Sequence, residues 1–283
     1  NTGPIDTLRL ARGRMLARLG RIDEAVDAFG LVRSGPLLSA ARIGAADLHF
    51  ASGQFEQASA AYTPLLADTE DTTIVGRAVV SLYELGRRQE ADELADRHRK
   101  EFGKYGIWPY LFRLYEGRYW LARREYDKAH DTFDGVAEDA AKNPVSIDMG
   151  DGVPIVMRRM AQDPLSAGSF FAATSEWEKM RAEPTEEGTS QALQSQSNFA
   201  SRFPDSPFSA DIYMRLAEFQ LAIENLLPAA GAFRRVVDGK HGTAEQRQIA
   251  VWQLLQCYSK LSRWDEAMRI ARRIQSEFPD HPR

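Results

Sequence analysis

The sequence predicts an all-α chain: a stack of about six or seven helical hairpins interrupted by one irregular joint. Three observations predict it. A pairing of a small residue with an aromatic four positions later recurs every thirty-odd residues. A turn signal, often glycine, precedes each copy at a constant distance. One stretch in the middle breaks the period and carries no helical pattern. A fixed period in this range marks a helical solenoid, in which each hairpin buries its apolar face only against its neighbours.

The copies read ARLGRIDEAVDAF (17–29), ASGQFEQASAAY (51–62), YELGRRQEADELA (83–95), LARREYDKAHDTF (121–133) and SKLSRWDEAMRIA (259–271). Aligned on the small residue that opens the second helix they place Ala25, Ala58, Ala91, Ala129 and Ala267 in register. The first two steps are 33 residues and the third is 38 (58−25, 91−58 and 129−91). Gly20, Gly53 and Gly86 suit the left-handed backbone that ends a first helix. Ile22, Phe55, Tyr126 and Trp264 follow the turn and are expected to plug the hairpin end. Alanine then lets the two helices approach. Phe29, Tyr62 and Phe133 share its face and fill the gap toward the next hairpin.

These copies resemble the tetratricopeptide repeat family. The first-helix glycine or alanine of that family is matched by Gly13, Ala46 and Gly117, and its next large residue by Leu16, Trp120 and Tyr258. Pro279 matches the closing proline, twelve residues after Ala267. The third copy departs, with Arg88 in the plug position and Ala95 in place of the second-helix aromatic. The resemblance implies a right-handed α-solenoid whose first helices line a concave groove that holds a protein or peptide, without catalysis.

Two looser copies follow. YMRLAEFQLAIENLLPAAGAFRRVV (213–237) aligns on Ala229, and SQALQSQSNFASRFPDSP (190–207) aligns on Ala192, with Pro204 as a helix stop. Between the blocks NPVSIDMGDGVP has two prolines and two glycines and no helical period; IVMRRMAQ then offers a short helix and SAGSFFAATSEWEKMRAE a longer one. The organisation expected is an N-terminal block of about four repeats over 1–142, an irregular joint or insertion over 143–166, and a C-terminal block of about three over 167–283. Insertions in solenoids project from one face and often carry specificity.

Composition excludes several classes. A formal charge of −4 argues against a general nucleic-acid binder, which needs a basic surplus to meet phosphates. The only cysteine, Cys257, lies in the apolar run VWQLLQCY and reads as a buried thiol. No apolar run reaches the roughly 18 residues that span a bilayer. No signal peptide is visible, and a start at Asn1 instead of Met reads as an upstream segment removed or omitted. The five histidines have no metal-ligand spacing, IDMGDG lacks the later acid of a calcium loop, and GKHGT reads as a turn before a helix capped near Thr243. No cofactor, metal or catalytic residue is expected.

Projecting each first helix by its 3.6-residue period places Arg14, Arg77, Arg118 and Arg215 toward the groove, with Phe50 and Tyr83 on the same face. Arginines grip carboxylates bidentately and aromatics anchor apolar groups, so the expected partner is an acidic peptide or partner domain. The two-carboxylate clamp of chaperone-binding members is not reproduced, since Leu10, Gly44 and Thr73 stand where it needs polar groups.

The endings RFPDSP and EFPDHP resemble bacterial cell-envelope members of the family, of the outer-membrane assembly lipoprotein and Tol-Pal coordinator type. That implies a periplasmic or outer-membrane-associated scaffold; the alternative setting is cytoplasmic. An alternative function is a superhelical arm of a larger enzyme or a polysaccharide-export or peptidoglycan machine, because the chain stops directly after a repeat without a polar capping helix. Uncapped terminal repeats also predict self-association.

Overall fold

The turn motif organises the fold. In the computed structural model, which describes residues 3–33, 35–67, 69–104 and 106–278, the described residues form sixteen α-helices and no strand. They pair as seven antiparallel hairpins. In order these are α1 (Gly3–Arg18) with α2 (Ile22–Gly30), α3 (Gly35–Ala51) with α4 (Phe55–Tyr62), and α5 (Thr72–Glu84) with α6 (Arg88–Arg97). A one-turn helix α7 (Arg99–Phe102) follows, then α8 (Ile107–Ala122) with α9 (Tyr126–Lys142). A short helix α10 (Ile155–Gln162) precedes α11 (Pro164–Ala182) with α12 (Glu186–Arg202), α13 (Ser209–Ala222) with α14 (Leu226–Asp238), and α15 (Ala244–Lys260) with α16 (Trp264–Glu277). The chain divides into two compact units, one ending at Leu165 and one beginning at Ser166. Residues 143–165 belong to the first.

One hydrogen-bond pattern closes six of the hairpins. At the first, Gly20 N–H donates to the Ala17 carbonyl and Arg21 N–H to the Leu16 carbonyl, both at 3.0 Å. The same pair recurs after α3, α5, α8, α13 and α15. It satisfies carbonyls that a helix end would leave bare, and it needs one residue in the left-handed region. Gly20, Gly53 and Gly86 supply it at φ 72°, 72° and 71°, and Arg124, Glu224 and Ser262 at 62°, 57° and 55°.

The register residues are all inside. Ala25, Ala58, Ala91, Ala129, Ala192 and Ala229 are fully buried, and Ala267 nearly so. Phe29, Tyr62, Phe133 and Phe233 are buried four residues on. Gly13 and Gly117 explain why a first helix narrows there. A Cβ at either would stand 2.4 Å from the ring of Phe29 or Phe133, so the aromatic of the second helix lies directly on first-helix backbone. In the third hairpin, which lacks the usual aromatics, the Trp108 ring of α8 packs over Gly76 in the same way, and Trp108, Phe102 and Phe112 form one cluster. Arg88, in its plug position, spreads over the Trp120 ring at 4.8 Å.

The second unit is built on two cores. Phe170, Phe171, Phe199 and Phe208 stack where α11 and α12 meet α13, and Gln196 Nε2 donates to the Ala173 carbonyl across that hairpin. A larger core joins α13 to α16 and holds Phe233, Val251, Leu254 and the buried Cys257, whose thiol pKa is raised by burial. Thr243 caps α15 reciprocally with Gln246 as the sequence indicates, and α12 stops at Arg202 before Phe203 and Pro204. Trp264 corrects one expectation. It is 63% exposed and plugs nothing, because no later helix among the described residues covers it. Pro279 lies outside the described residues, as does His281.

Candidate functional site

First helices of the first unit touch one another directly, α1 against α3, α3 against α5 and α5 against α8, while the second helices make no comparable mutual contact among the described residues. The first-helix side is therefore the closed side of this stack. Two polar nodes stand on it, and both link neighbouring hairpins.

The first node is Arg77 on α5. Its Nη1 lies 2.6 Å from Asp47 Oδ1 on α3, and the Tyr62 hydroxyl donates to the same oxygen at 2.6 Å. Phe50 lies beneath, fully buried, with Arg77 5.8 Å from its ring centroid and Phe55 and Tyr62 edge-on to it. Burial opposes the charge of Arg77, yet Asp47 and Tyr62 outweigh it and hold the guanidinium protonated. Burial first, and Asp47 second, push the Tyr62 pKa far above its usual value.

The second node is Arg118 on α8. Its Nη1 lies 3.0 Å from Glu84 Oε1 on α5, at an angle that leaves that N–H without a hydrogen bond. The guanidinium also covers the ring of Tyr115 at 5.1 Å. The Tyr115 hydroxyl is buried with no hydrogen-bond partner, and burial raises its pKa. Across the two nodes the charges alternate: Asp47, Arg77, Glu84, Arg118.

Tyr83 lies between the nodes in sequence but points elsewhere. It is 6% exposed, and its hydroxyl donates to Asp92 on α6 at 2.5 Å. Arg88 joins this group through Glu116 at 2.7 Å and Asp92 at 3.3 Å. The sequence-predicted groove residues thus separate into four kinds. Arg77 and Arg118 line the first-helix face, each already matched by a carboxylate. Phe50 and Tyr83 are core residues whose rings offer no surface in this conformation. Arg14 is an exposed residue of α1. Arg215 belongs to the second unit, where it donates to Thr174 Oγ1 at 2.8 Å and stacks over Phe170 at 5.2 Å. Burial there lowers its pKa. Projection of single helices missed Asp47, Glu84, Tyr62 and Tyr115, since it names what faces a groove and not what the next helix brings to it.

The irregular joint also reaches this face. Ile147 N–H donates to the Ala161 carbonyl at 3.0 Å and Ser146 Oγ to the Gln162 carbonyl at 2.7 Å, closing a loop at its base. Helix α10 rests on α8 and buries Met157, Met160 and Ala161 completely. The tip, a 3-10 turn at Gly150–Gly152, packs on α3, two hairpins back along the stack. A Cβ on Gly152 would be 3.8 Å from Arg77 Nη2.

Exposed apolar side chains line two of the helices, among others elsewhere such as Ile155, Ile223 and Leu227. Ile5, Leu8, Met15 and Leu19 lie 52–71% exposed along α1 and the turn after it, and Trp264 and Met268 lie 63% and 55% exposed on α16. No described helix is long and apolar enough to cross a membrane.

No family model matches the sequence, and no curated protein matches it. Among solved structures the chain is similar to the crystal structure of yeast Tom70, at 10% identity over 99% of this chain and 70% of that one, with a TM-score of 0.29. At that score the likeness adds nothing to the architecture, which rests on the chain's own hairpins.

Proposed function

We propose that the protein is a non-catalytic protein–protein interaction scaffold, and that its partner, a peptide or a domain with acidic character, engages the first-helix face of the first unit. One observation carries this reading. Arg77 Nε is buried on that face without a hydrogen-bond partner, and a buried donor left unpaired costs stability unless something supplies an acceptor. The bacterial-envelope setting belongs to the same proposal and is supported by the RFPDSP and EFPDHP endings alone.

The test is capture from extract of the source organism, followed by affinity measurement with the purified partner. An Arg77→Glu, Arg118→Glu double variant, shown to be helical and cooperatively folded, loses at least tenfold in affinity, whereas Arg14→Glu does not. Equal affinity of the double variant and wild type rejects the assignment. The apolar stripe on α1 favours a second reading, self-association through a terminal face. Light scattering over a wide concentration range decides it, and a strict monomer removes it.

A further inference from the structure

Several helix glycines of this chain are forced by packing. A Cβ at Gly13, Gly76 or Gly117 would stand 2.4 Å from an aromatic ring. Gly231 is not forced. It lies in the middle of α14, outside the left-handed region, and a Cβ there would meet nothing within 4 Å. Glycine inside a helix weakens it, and what it offers in return is a bare backbone that another molecule can approach closely. Gly231 lines a cleft of about 640 Å³ in the second unit. That is the size of a site for a small molecule or a short peptide segment.

The two sides of the cleft differ in character. The chain before and within α13 contributes Pro204, Ala210 and Tyr213, whose hydroxyl is fixed by donating to the Ala200 carbonyl at 3.2 Å. Helix α14 and the turn after it contribute Arg234, Arg235 and Lys240. Lys240 belongs to the GKHGT stretch that leads into α15. Two acids also line the cleft: Asp238, which accepts from Arg273 Nη1 of α16, and Asp205 on the α13 side. Arg234 donates to the Tyr258 hydroxyl at 2.6 Å. Arg235 and Lys240 are exposed, and neither side chain has a partner among the described residues. The cleft thus sets two unmatched cations opposite an apolar side, with bare helix backbone between them.

We propose that this cleft is a peptide-binding site of the second unit, and that its ligand is an acidic segment whose carboxylates meet Arg235 and Lys240 while an adjacent apolar side chain rests on Pro204 and Tyr213. Gly231 keeps the space open for the ligand backbone. The site is independent of the first-helix face proposed above, since every residue in it belongs to the other unit.

The experiment uses an end-blocked, fluorescein-labelled Gly–Glu–Leu–Glu–Gly peptide and the full chain at low ionic strength, read by anisotropy. Two control peptides replace both Glu by Gln, or Leu by Gly. Wild type is expected to bind the Glu–Leu–Glu peptide and to bind each control about tenfold more weakly. Two variants attack the cleft separately. Arg235→Gln with Lys240→Gln removes the cations and should weaken binding about tenfold. Gly231→Trp fills the cleft from a position where a side chain has room, and should abolish binding while the helix content is kept. The Arg77→Glu, Arg118→Glu variant should bind this peptide as wild type does. No binding by wild type overturns the site, as does binding that survives both folded cleft variants or is lost with Arg77 and Arg118. Equal binding of the Leu→Gly control overturns the apolar contact. Displacement of the peptide by an equal concentration of inorganic phosphate reassigns the cleft to a bare anion and overturns the peptide as ligand.

Discussion

In the first unit the hairpin turns after α1, α3 and α5 run through Gly20, Gly53 and Gly86, and the first helices thin to Gly13 and Gly117 beneath Phe29 and Phe133. In the second unit Glu224 and Ser262 take the same left-handed turn, and Ala217 stands at the place of Gly117, buried in one core with Phe233. The hydrogen bonds that close the turns are the same throughout. Glycine is thus not what shapes the turn. The paired bonds and the packing behind them impose the geometry, and a residue with a Cβ bears roughly 1–2 kcal/mol of backbone strain to adopt it. The thinning is different in kind: at Gly117 there is no room for a methyl group, whereas the second unit, like the hairpin of Ala46 in the first, has made that room.

The largest effect expected on this comparison comes from removing the ring itself. Phe133→Ala deletes a fully buried aromatic that rests on bare backbone, and should cost about 3–5 kcal/mol in urea unfolding of the whole chain. Gly117→Ala follows at about 1–3 kcal/mol, against alanine's better helix propensity, because its Cβ meets Phe133 at 2.4 Å. A neutral Gly117→Ala would show that Phe133 moves aside freely and that the two units are not distinct here.

The alkaline response separates the units next. Tyr62, Tyr83 and Tyr115, all in the first unit, have pKa values raised by burial, and Asp47 and Asp92 add to it for the first two. A raised folded pKa means stabilisation that is complete below the unfolded value near 10 and declines as pH rises above it. Each group should lose about 1 kcal/mol by pH 11. Absorbance at 295 nm should show these three of the nine tyrosines still un-ionised there, and their early titration would count against the buried nodes. The smallest effect is a gain. Glu224→Gly should stabilise by about 0.5–1 kcal/mol, measured as a raised denaturation midpoint at unchanged slope. Gly20→Ala should lose a similar amount.

The scaffold was legible because its determinants are local. Ala25, Ala58, Ala91 and Ala129, the aromatics four residues on and the turn glycines all act within one hairpin, where spacing reports contact. Even Arg124 could be recognised as a turn residue from its place in the pattern. Trp264 misled because a plug needs a neighbour to close over it, and its pattern does not say whether one comes. The candidate site was legible by half. Helical projection found Arg77 and Arg118, whose partners Asp47 and Glu84 lie some thirty residues away on other helices. Tyr83 shares α5 with Arg77, and Phe50 shares α3 with Asp47, but both turn into the core. The return of residues 143–162 onto α3 and α8 had no signal, since a stretch without period does not reveal which surface it will cover.

The buried Cys257 makes the molecule its own reporter. It is the one thiol in the chain, and it sits among Leu254, Tyr258 and Ile270 in the second unit, wholly sealed from solvent. A small alkylating reagent can reach it only when that unit breathes. The rate of modification therefore times the opening of the C-terminal half alone, with the N-terminal half chemically silent.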